Sequence, residues 1–116
     1  MIPDIFYVKR RIEEYPGTFT LYIKKKDDQP QTSFQPGQFN MLYAFGAGEV
    51  PISMSGPQHN TSVYIHTIRT VGQTTQALEQ LREGDQLGVR GPFGRGWPVE
   101  KTSGKTVVII AGGLGL

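Results

Sequence analysis

Four stretches of this sequence carry residues that could do chemistry. The first is Glu49-Val50-Pro51-Ile52-Ser53-Met54-Ser55. A proline interrupts a strand ladder and leaves backbone groups free at a sheet edge. Ser53 then offers a hydroxyl and an amide beside the apolar side chain of Ile52. This is either a binding edge or a plain edge strand whose serine bonds its neighbours. The second is Thr67-Ile68-Arg69-Thr70-Val71-Gly72-Gln73-Thr74-Thr75, which leads into a helical pattern. Thr74 or Thr75 can cap that helix, and free amides at a helix start suit a phosphate. Arg69 could add a cation to the same anion. The plain alternative is a capped helix preceded by a surface arginine.

The third stretch, Gly91-Pro92-Phe93-Gly94-Arg95-Gly96-Trp97-Pro98, reads as an ordered connection. The fourth is the strand-like Lys105-Thr106-Val107-Val108-Ile109-Ile110-Ala111, which runs into Gly112-Gly113-Leu114-Gly115-Leu116. An apolar strand feeding clustered glycines is how a nucleotide-binding βαβ unit opens, because glycine lets backbone amides approach a phosphate. Such a strand needs parallel neighbours and covering helices. The expectation is therefore that the sequence is the front portion of a longer protein. Residues 1–98 form one domain and residues 99–116 the linker, first strand and glycine turn of a second.

The elements that must position these clusters are mostly strands. Fifteen glycines and eight prolines punctuate short apolar runs, the pattern of an all-β domain. Strands are expected over residues 5–14, 18–25, 38–44, 50–55, 62–71 and 86–90. In the second, Phe19, Leu21 and Ile23 alternate with Thr20, Tyr22 and Lys24, a period of two that marks a half-buried strand. Residues 27–36 are polar and flanked by proline, which predicts a loop. Residues 74–82 alone read as helix, with Ala77, Leu78 and Leu81 on one side and Gly84-Asp85 as the stop. These spacings predict a small, closed or nearly closed antiparallel barrel.

Composition excludes several classes. Lys plus Arg exceeds Asp plus Glu by 12 − 10 = 2, so no strong field favours nucleic acid or another polyanion. Lys24-Lys25-Lys26 is followed at once by Asp27-Asp28, a solvated strand end rather than a binding patch. There is no cysteine, hence no disulfide framework or thiolate metal site, and His59 and His66 are the only histidines. No apolar run approaches the ~18 residues of a membrane span. The N-terminus has no basic region followed by a hydrophobic core, so a cytoplasmic protein is the expectation.

In order along the chain stand Pro-Ile-Ser, Ile-Arg-Thr-Val-Gly-Gln-Thr-Thr, Leu-Arg-Glu-Gly-Asp after the helix, Gly-Pro-Phe-Gly, and Ala-Gly-Gly-Leu-Gly. This order resembles the ferredoxin–NADP reductase superfamily. Within it the chain is similar to the gamma (diaphorase-like) subunit of nickel–iron hydrogenases and to the related subunit of anaerobic sulfite reductase. It is similar as well to the electron-transfer subunit of dihydroorotate dehydrogenase. The resemblance covers the sequence from about residue 6 to residue 116.

It implies an FAD-binding, six-stranded antiparallel Greek-key barrel with one short helix, followed by the first strand of an NAD(P)-binding α/β domain. Carried over by motif, Val50, Pro51, Ile52 and Ser53 would line the isoalloxazine, with Ser53 near the flavin N5 edge. Thr67, Ile68 and Arg69 would form the neighbouring strand, and Gly72, Thr74 and Thr75 would meet the pyrophosphate. Gly112, Gly113 and Gly115 would belong to the nicotinamide-nucleotide site. The resemblance further implies hydride transfer from NAD(P)H and single-electron transfer to iron–sulfur or hydrogenase-type partner subunits. No side-chain acid, base or nucleophile is then expected. A [2Fe–2S] centre, if the protein has one, would lie beyond residue 116.

The superfamily's usual Arg-x-Tyr-Ser is here Val50-Pro51-Ile52-Ser53. Lacking that arginine gives Arg69 more weight, and Ile52 offers apolar packing where a tyrosine would stack. These departures keep open a non-catalytic barrel or interaction module whose flavin site has decayed. An oligonucleotide- or oligosaccharide-binding barrel would instead interleave aromatics with cations on adjacent strands.

Overall fold

The computed structural model describes residues 2–27, 29–30, 32–56 and 63–95. Trp97, the strand expected over residues 105–111 and Gly112, Gly113 and Gly115 lie outside them. The described chain runs β1 (Asp4–Tyr15), β2 (Thr18–Lys25), β3 (Phe39–Ala44), β4 (Gly48–Ser53), β5 (Tyr64–Arg69), α1 (Gln73–Glu79) and β6 (Gln86–Phe93). The six strands and one short helix are those the sequence predicts, with shifted ends.

All strand pairs are antiparallel, in the order β4-β3-β6-β1-β2-β5. The two terminal strands meet again where Ser55 bridges to Ile65, just past β4. The sheet thus curls back on itself, and the edges β4 and β5 face each other across a seam. A sheet folded this way presents little exposed edge to other chains.

The alternation seen in the sequence becomes the inside and outside of the barrel. Phe19, Leu21 and Ile23 of β2, Phe6 and Val8 of β1, Leu42 of β3, Tyr64 and Ile68 of β5, and Leu87 and Val89 of β6 fill the core. Leu78 closes it from α1. Each such aliphatic or aromatic side chain contributes roughly 1.5–3 kcal/mol on leaving water. Phe6 and Tyr64 stack with ring centroids 5.7 Å apart. The expected loop after β2 is not purely polar: Phe34 is buried against the edge of Tyr64, and the Tyr64 hydroxyl donates to the Thr32 carbonyl. Burial pushes that phenol up to about 12.

Two boundaries differ from expectation for identifiable reasons. Strand β6 runs on through Gly91, Pro92 and Phe93, because Phe93 pairs with Phe39 across an irregularity in the β3 ladder. Gly-Pro-Phe therefore extends the strand expected to end at residue 90. Helix α1 ends at Glu79 instead of residue 82. Asp85 captures the next turn, accepting from the Arg82 amide at 2.8 Å and donating its own amide to the Arg82 carbonyl at 2.9 Å. A local aspartate turn of this kind competes with continued helix.

Candidate functional site

Strand β4 defines the site through the phase of its ladder. The Met54 amide donates to the Gln38 carbonyl at 2.9 Å, in register with Phe39 opposite Ser53. Bonded and non-bonded pairs alternate in an antiparallel ladder. Ile52 and Val50 therefore bond back to Asn40 and Leu42, while Glu49, Pro51 and Ser53 turn their backbone groups away from β3. Pro51 sits where a donor would face the edge, which is where a strand tolerates proline. Side chains follow the same period. Val50 and Ile52 face inward and are only half buried against the core, whereas Pro51 and Ser53 are exposed.

Across the seam stands His66 of β5, whose side chain is fully buried. Its Nδ1 lies 3.0 Å from the Ser53 carbonyl oxygen and its Nε2 lies 3.1 Å from Asn40 Nδ2. A carbonyl can only accept, so Nδ1 carries the proton and Nε2 accepts from Asn40. A second proton would set two donors against each other. Burial agrees, lowering the imidazole to about 4 against the Ser53 hydrogen bond that pulls it up. Asn40 Oδ1 is buried without a hydrogen-bond partner among the described residues. Gly91 lies against it with φ +140°, and a Cβ there would come within 2.4 Å of that oxygen.

Helix α1 starts differently from the expectation. The N-cap is Gly72, not Thr74 or Thr75. Thr75 is buried at the third helical position, its hydroxyl accepting from the Val71 and Gly72 amides at 2.9 Å each and donating to the Gly72 carbonyl at 3.0 Å. That hydroxyl is therefore committed to the cap. Thr74 leans the other way, its Oγ1 3.4 Å from the Ala47 carbonyl in the β3–β4 turn and 3.5 Å from where a Cβ of Gly48 would be. The helix start thus abuts the hairpin that carries Val50 and Ile52.

Of the residues singled out from sequence, Val50, Pro51, Ile52 and Ser53 lie on this hairpin and Thr74 reaches it, while Gly72 caps the helix beside Thr74. Ile68 belongs to the core. Thr67 shares its hydroxyl with that of Thr20 at 2.9 Å, on the face opposite Ile68. Arg69 ends β5 exposed, opposite Thr18.

Sequence alone did not find Asn40 or Arg90; it placed Glu49 in the first stretch without a role and noted His66 only as one of two histidines. Arg90 reaches across β3 to Glu49 with a two-pronged grip, Nε to Oε1 at 2.6 Å and Nη2 to Oε2 at 2.7 Å. These hydrogen bonds hold the Glu49 carboxyl below its ordinary value and raise the guanidinium. Arginines also stand over rings within strands: Arg10 over Tyr22, Arg11 over Phe19 and Arg90 over Phe93. Arg11 also donates to the Glu79 carbonyl at the end of α1, and Arg90 is held by Glu49. Among the described residues no group of His, Cys, Asp or Glu is placed to hold a metal, and no helix is long and apolar enough to cross a membrane.

The curled sheet with one short helix has the fold of solved reductase domains. Phthalate dioxygenase reductase, described as a modular structure for electron transfer from pyridine nucleotides to [2Fe–2S], superposes with a TM-score of 0.72 at 12% identity. That match covers 78% of this chain and 30% of that one, and it speaks for the fold. No protein-family model matches the sequence. Its relatives are more particular. The chain is homologous to the gamma subunit of sulfhydrogenase 2 from Pyrococcus furiosus, 36% identical over 98 residues, covering 84% of this chain and 34% of the subunit. It is equally a homologue of a probable dihydroorotate dehydrogenase B (NAD(+)) electron-transfer subunit from Methanocella arvoryzae, 33% identical over 115 residues, covering 99% of this chain and 40% of that subunit. The chain spans between a third and two fifths of the length of these relatives.

Proposed function

We propose that this chain binds FAD along the β4–β5 seam and is the flavin-bearing part of an NAD(P)H-linked electron-transfer subunit. The observation that carries this reading is the convergence on one hairpin of a strand edge whose backbone groups at Glu49, Pro51 and Ser53 turn away from β3, half-buried apolar side chains and a helix start. The residues fit the cofactor. Val50 and Ile52 offer the apolar surface that a flat ring system needs, and Pro51 keeps the edge clear of a competing donor. Ser53 supplies a hydroxyl and an edge-facing amide beside that surface. Thr67 and Ile68 hold the opposite wall, and Arg69 is the cation for the phosphates. At the start of α1 the first turn after the Gly72 cap presents the backbone amides of Gln73, Thr74 and Thr75, and Thr74 adds a hydroxyl. Thr75 contributes through the cap it builds.

When bound, the flavin supplies hydride acceptance and single-electron release. The chain's own residues bind, orient and shield; none acts as an acid, base or nucleophile. Gly112, Gly113 and Gly115 are proposed for the nicotinamide-nucleotide site, and NAD(P) as the electron donor or acceptor. The relatives' names, a sulfhydrogenase gamma subunit and a dihydroorotate dehydrogenase electron-transfer subunit, support a partner subunit. That the partner is of iron–sulfur or hydrogenase type, that a [2Fe–2S] centre lies beyond residue 116 and that the location is cytoplasmic are parts of the same proposal.

Reconstitution with FAD tests the reading. The chain should retain a visible flavin absorption band through gel filtration, and Arg69→Ala should weaken FAD by ~1–3 kcal/mol, the scale of a charge-assisted hydrogen bond. A chain that carries no flavin band through gel filtration after incubation with saturating FAD would favour the decayed or non-catalytic barrel.

A further inference from the structure

We infer that His66 is a positioning residue that fixes Ser53 for contact with the flavin, by clamping the peptide unit between Ser53 and Met54. The inference rests on the reading of the β4 edge as the flavin site. Its basis is that two bonds converge on one rigid group. The Met54 N–H of that peptide donates to the Gln38 carbonyl of the residue preceding β3 at 2.9 Å. The Ser53 C=O of the same peptide accepts from His66 Nδ1 of β5 at 3.0 Å. A trans peptide is planar, with its N–H and C=O pointing in opposite directions, so a bond at each end locks the plane between two strands. With Ile52 already held by the β3 ladder, locking that plane restricts the torsion on the carbonyl side of Ser53 and so the direction of its Cα–Cβ bond.

Among the described residues the ladder offers the Ser53 carbonyl no backbone donor. The Ser53 C=O lies at a non-bonded position of the β3–β4 ladder and so faces away from β3. The nearest backbone link across the seam is the Ser55–Ile65 bridge, where the Ser55 amide donates to the Ile65 carbonyl at 2.9 Å. That link lies two residues further on and holds a different peptide. The imidazole is oriented in turn by Asn40 Nδ2 on its far nitrogen. The missing side chain at Gly91 leaves space for the Asn40 amide that makes this bond. A fully buried ring held at both nitrogens is a rigid strut, which a flexible or exposed donor would not be.

Two substitutions separate the two ends of the strut. His66→Asn keeps an amide donor where Nδ1 was. His66→Gln places its amide where Nε2 was, satisfies Asn40 and leaves the Ser53 carbonyl without a donor. In the FAD-reconstituted chain, followed by flavin fluorescence and the visible spectrum, H66Q should bind FAD about tenfold more weakly and shift the flavin band, the scale of one lost buried hydrogen bond. H66N should stay within about threefold of the parent, with the parent's spectrum. In a Ser53→Ala background H66Q should add little further loss, because the group it positions is gone. A general loss of packing would instead add in full.

H66Q that folds and binds FAD as tightly as the parent overturns the inference, as does a full additive loss with Ser53→Ala. If H66Q does not fold, the unaltered chain decides. The His66 Nδ1–H resonance should move on FAD saturation, and a resonance unchanged at saturation overturns the role. A parent chain that takes up no FAD at all overturns the flavin reading itself, a result distinct from any failure of H66Q alone.

Discussion

Arg90 of β6 grips Glu49 of β4 by two hydrogen bonds, of 2.6 and 2.7 Å, spanning the intervening strand β3. The pair fastens the start of β4, one residue before Val50, to a strand that is itself paired on both sides. Arginine is suited to this because its planar fork matches both carboxylate oxygens at once.

Arg90→Ala should therefore loosen β4 and weaken FAD severalfold, although Arg90 touches no flavin in the proposed site. Arg90→Lys should fail to restore the parent value, since an ammonium cannot make the fork. Flavin titration of the variants checks both. The sign in pH follows from Glu49, whose carboxyl is depressed in the folded chain from 4.5 by the Arg90 hydrogen bonds. Its contribution to stability is present above the unfolded value and lost as pH falls through the folded one. Denaturant midpoints of the parent should fall more over that acid range than those of Glu49→Gln.

The helix start separates cap from ligand. Thr75→Val removes the hydroxyl that serves the Val71 and Gly72 amides and should cost ~1–2 kcal/mol of folding stability. Thr74→Ala should leave stability nearly unchanged and weaken FAD. Chemical denaturation of the flavin-free chain beside FAD titration distinguishes the two. Equal effects in both assays would contradict the division of labour.

His66 makes stability depend on pH in a different window. Its folded value is about 4 and its ordinary value 6.5, so the unfolded chain binds more protons between the two. Stability should rise as pH increases from 4 to 6.5 and level off above, by up to about 3 kcal/mol. Urea unfolding across this range measures it. The rise should shrink in His66→Asn, which has no imidazole to charge.

Gly91 has no room for a side chain. Gly91→Ala would place a methyl 2.4 Å from Asn40 Oδ1 and 3.2 Å from the Phe39 carbonyl, at φ +140°. It should destabilise by at least ~2 kcal/mol. Gly84→Ala, at φ +92° with nothing within 4 Å, should cost only ~1 kcal/mol. Thermal melts of the two variants give the comparison.

How much of this was legible in the sequence depended on distance along the chain. Period-two runs such as Phe19, Leu21 and Ile23 gave the strands, because alternation is local. Pro51 announced an edge for the same reason. The expected N-cap lies two to three residues past Gly72, and the expected helix start one residue past Gln73, because Thr74 and Thr75 both look like caps. Only the bonds of Thr75 back to Gly72 show which position it holds. Gly91-Pro92-Phe93 reads as an ordered connection past a strand ending at residue 90, because glycine and proline usually end strands, yet pairing of Phe93 with Phe39 keeps β6 going. The three relationships that build the site, His66 with Ser53, His66 with Asn40 and Arg90 with Glu49, join residues 13, 26 and 41 positions apart. Register between strands sets such contacts, and no local pattern encodes it.

The most direct test of the central claim is the difference in affinity between FAD and FMN for the flavin-free chain, measured by calorimetric titration. The two ligands share the ring system that Val50, Ile52 and Ser53 are proposed to hold. They differ in the pyrophosphate and adenosine that extend toward Gly72, Thr74 and Arg69. The account predicts that FAD binds at least about tenfold more tightly, the equivalent of one charge-assisted contact, and that Arg69→Ala narrows the gap. Equal affinities, or tighter binding of FMN, would contradict it.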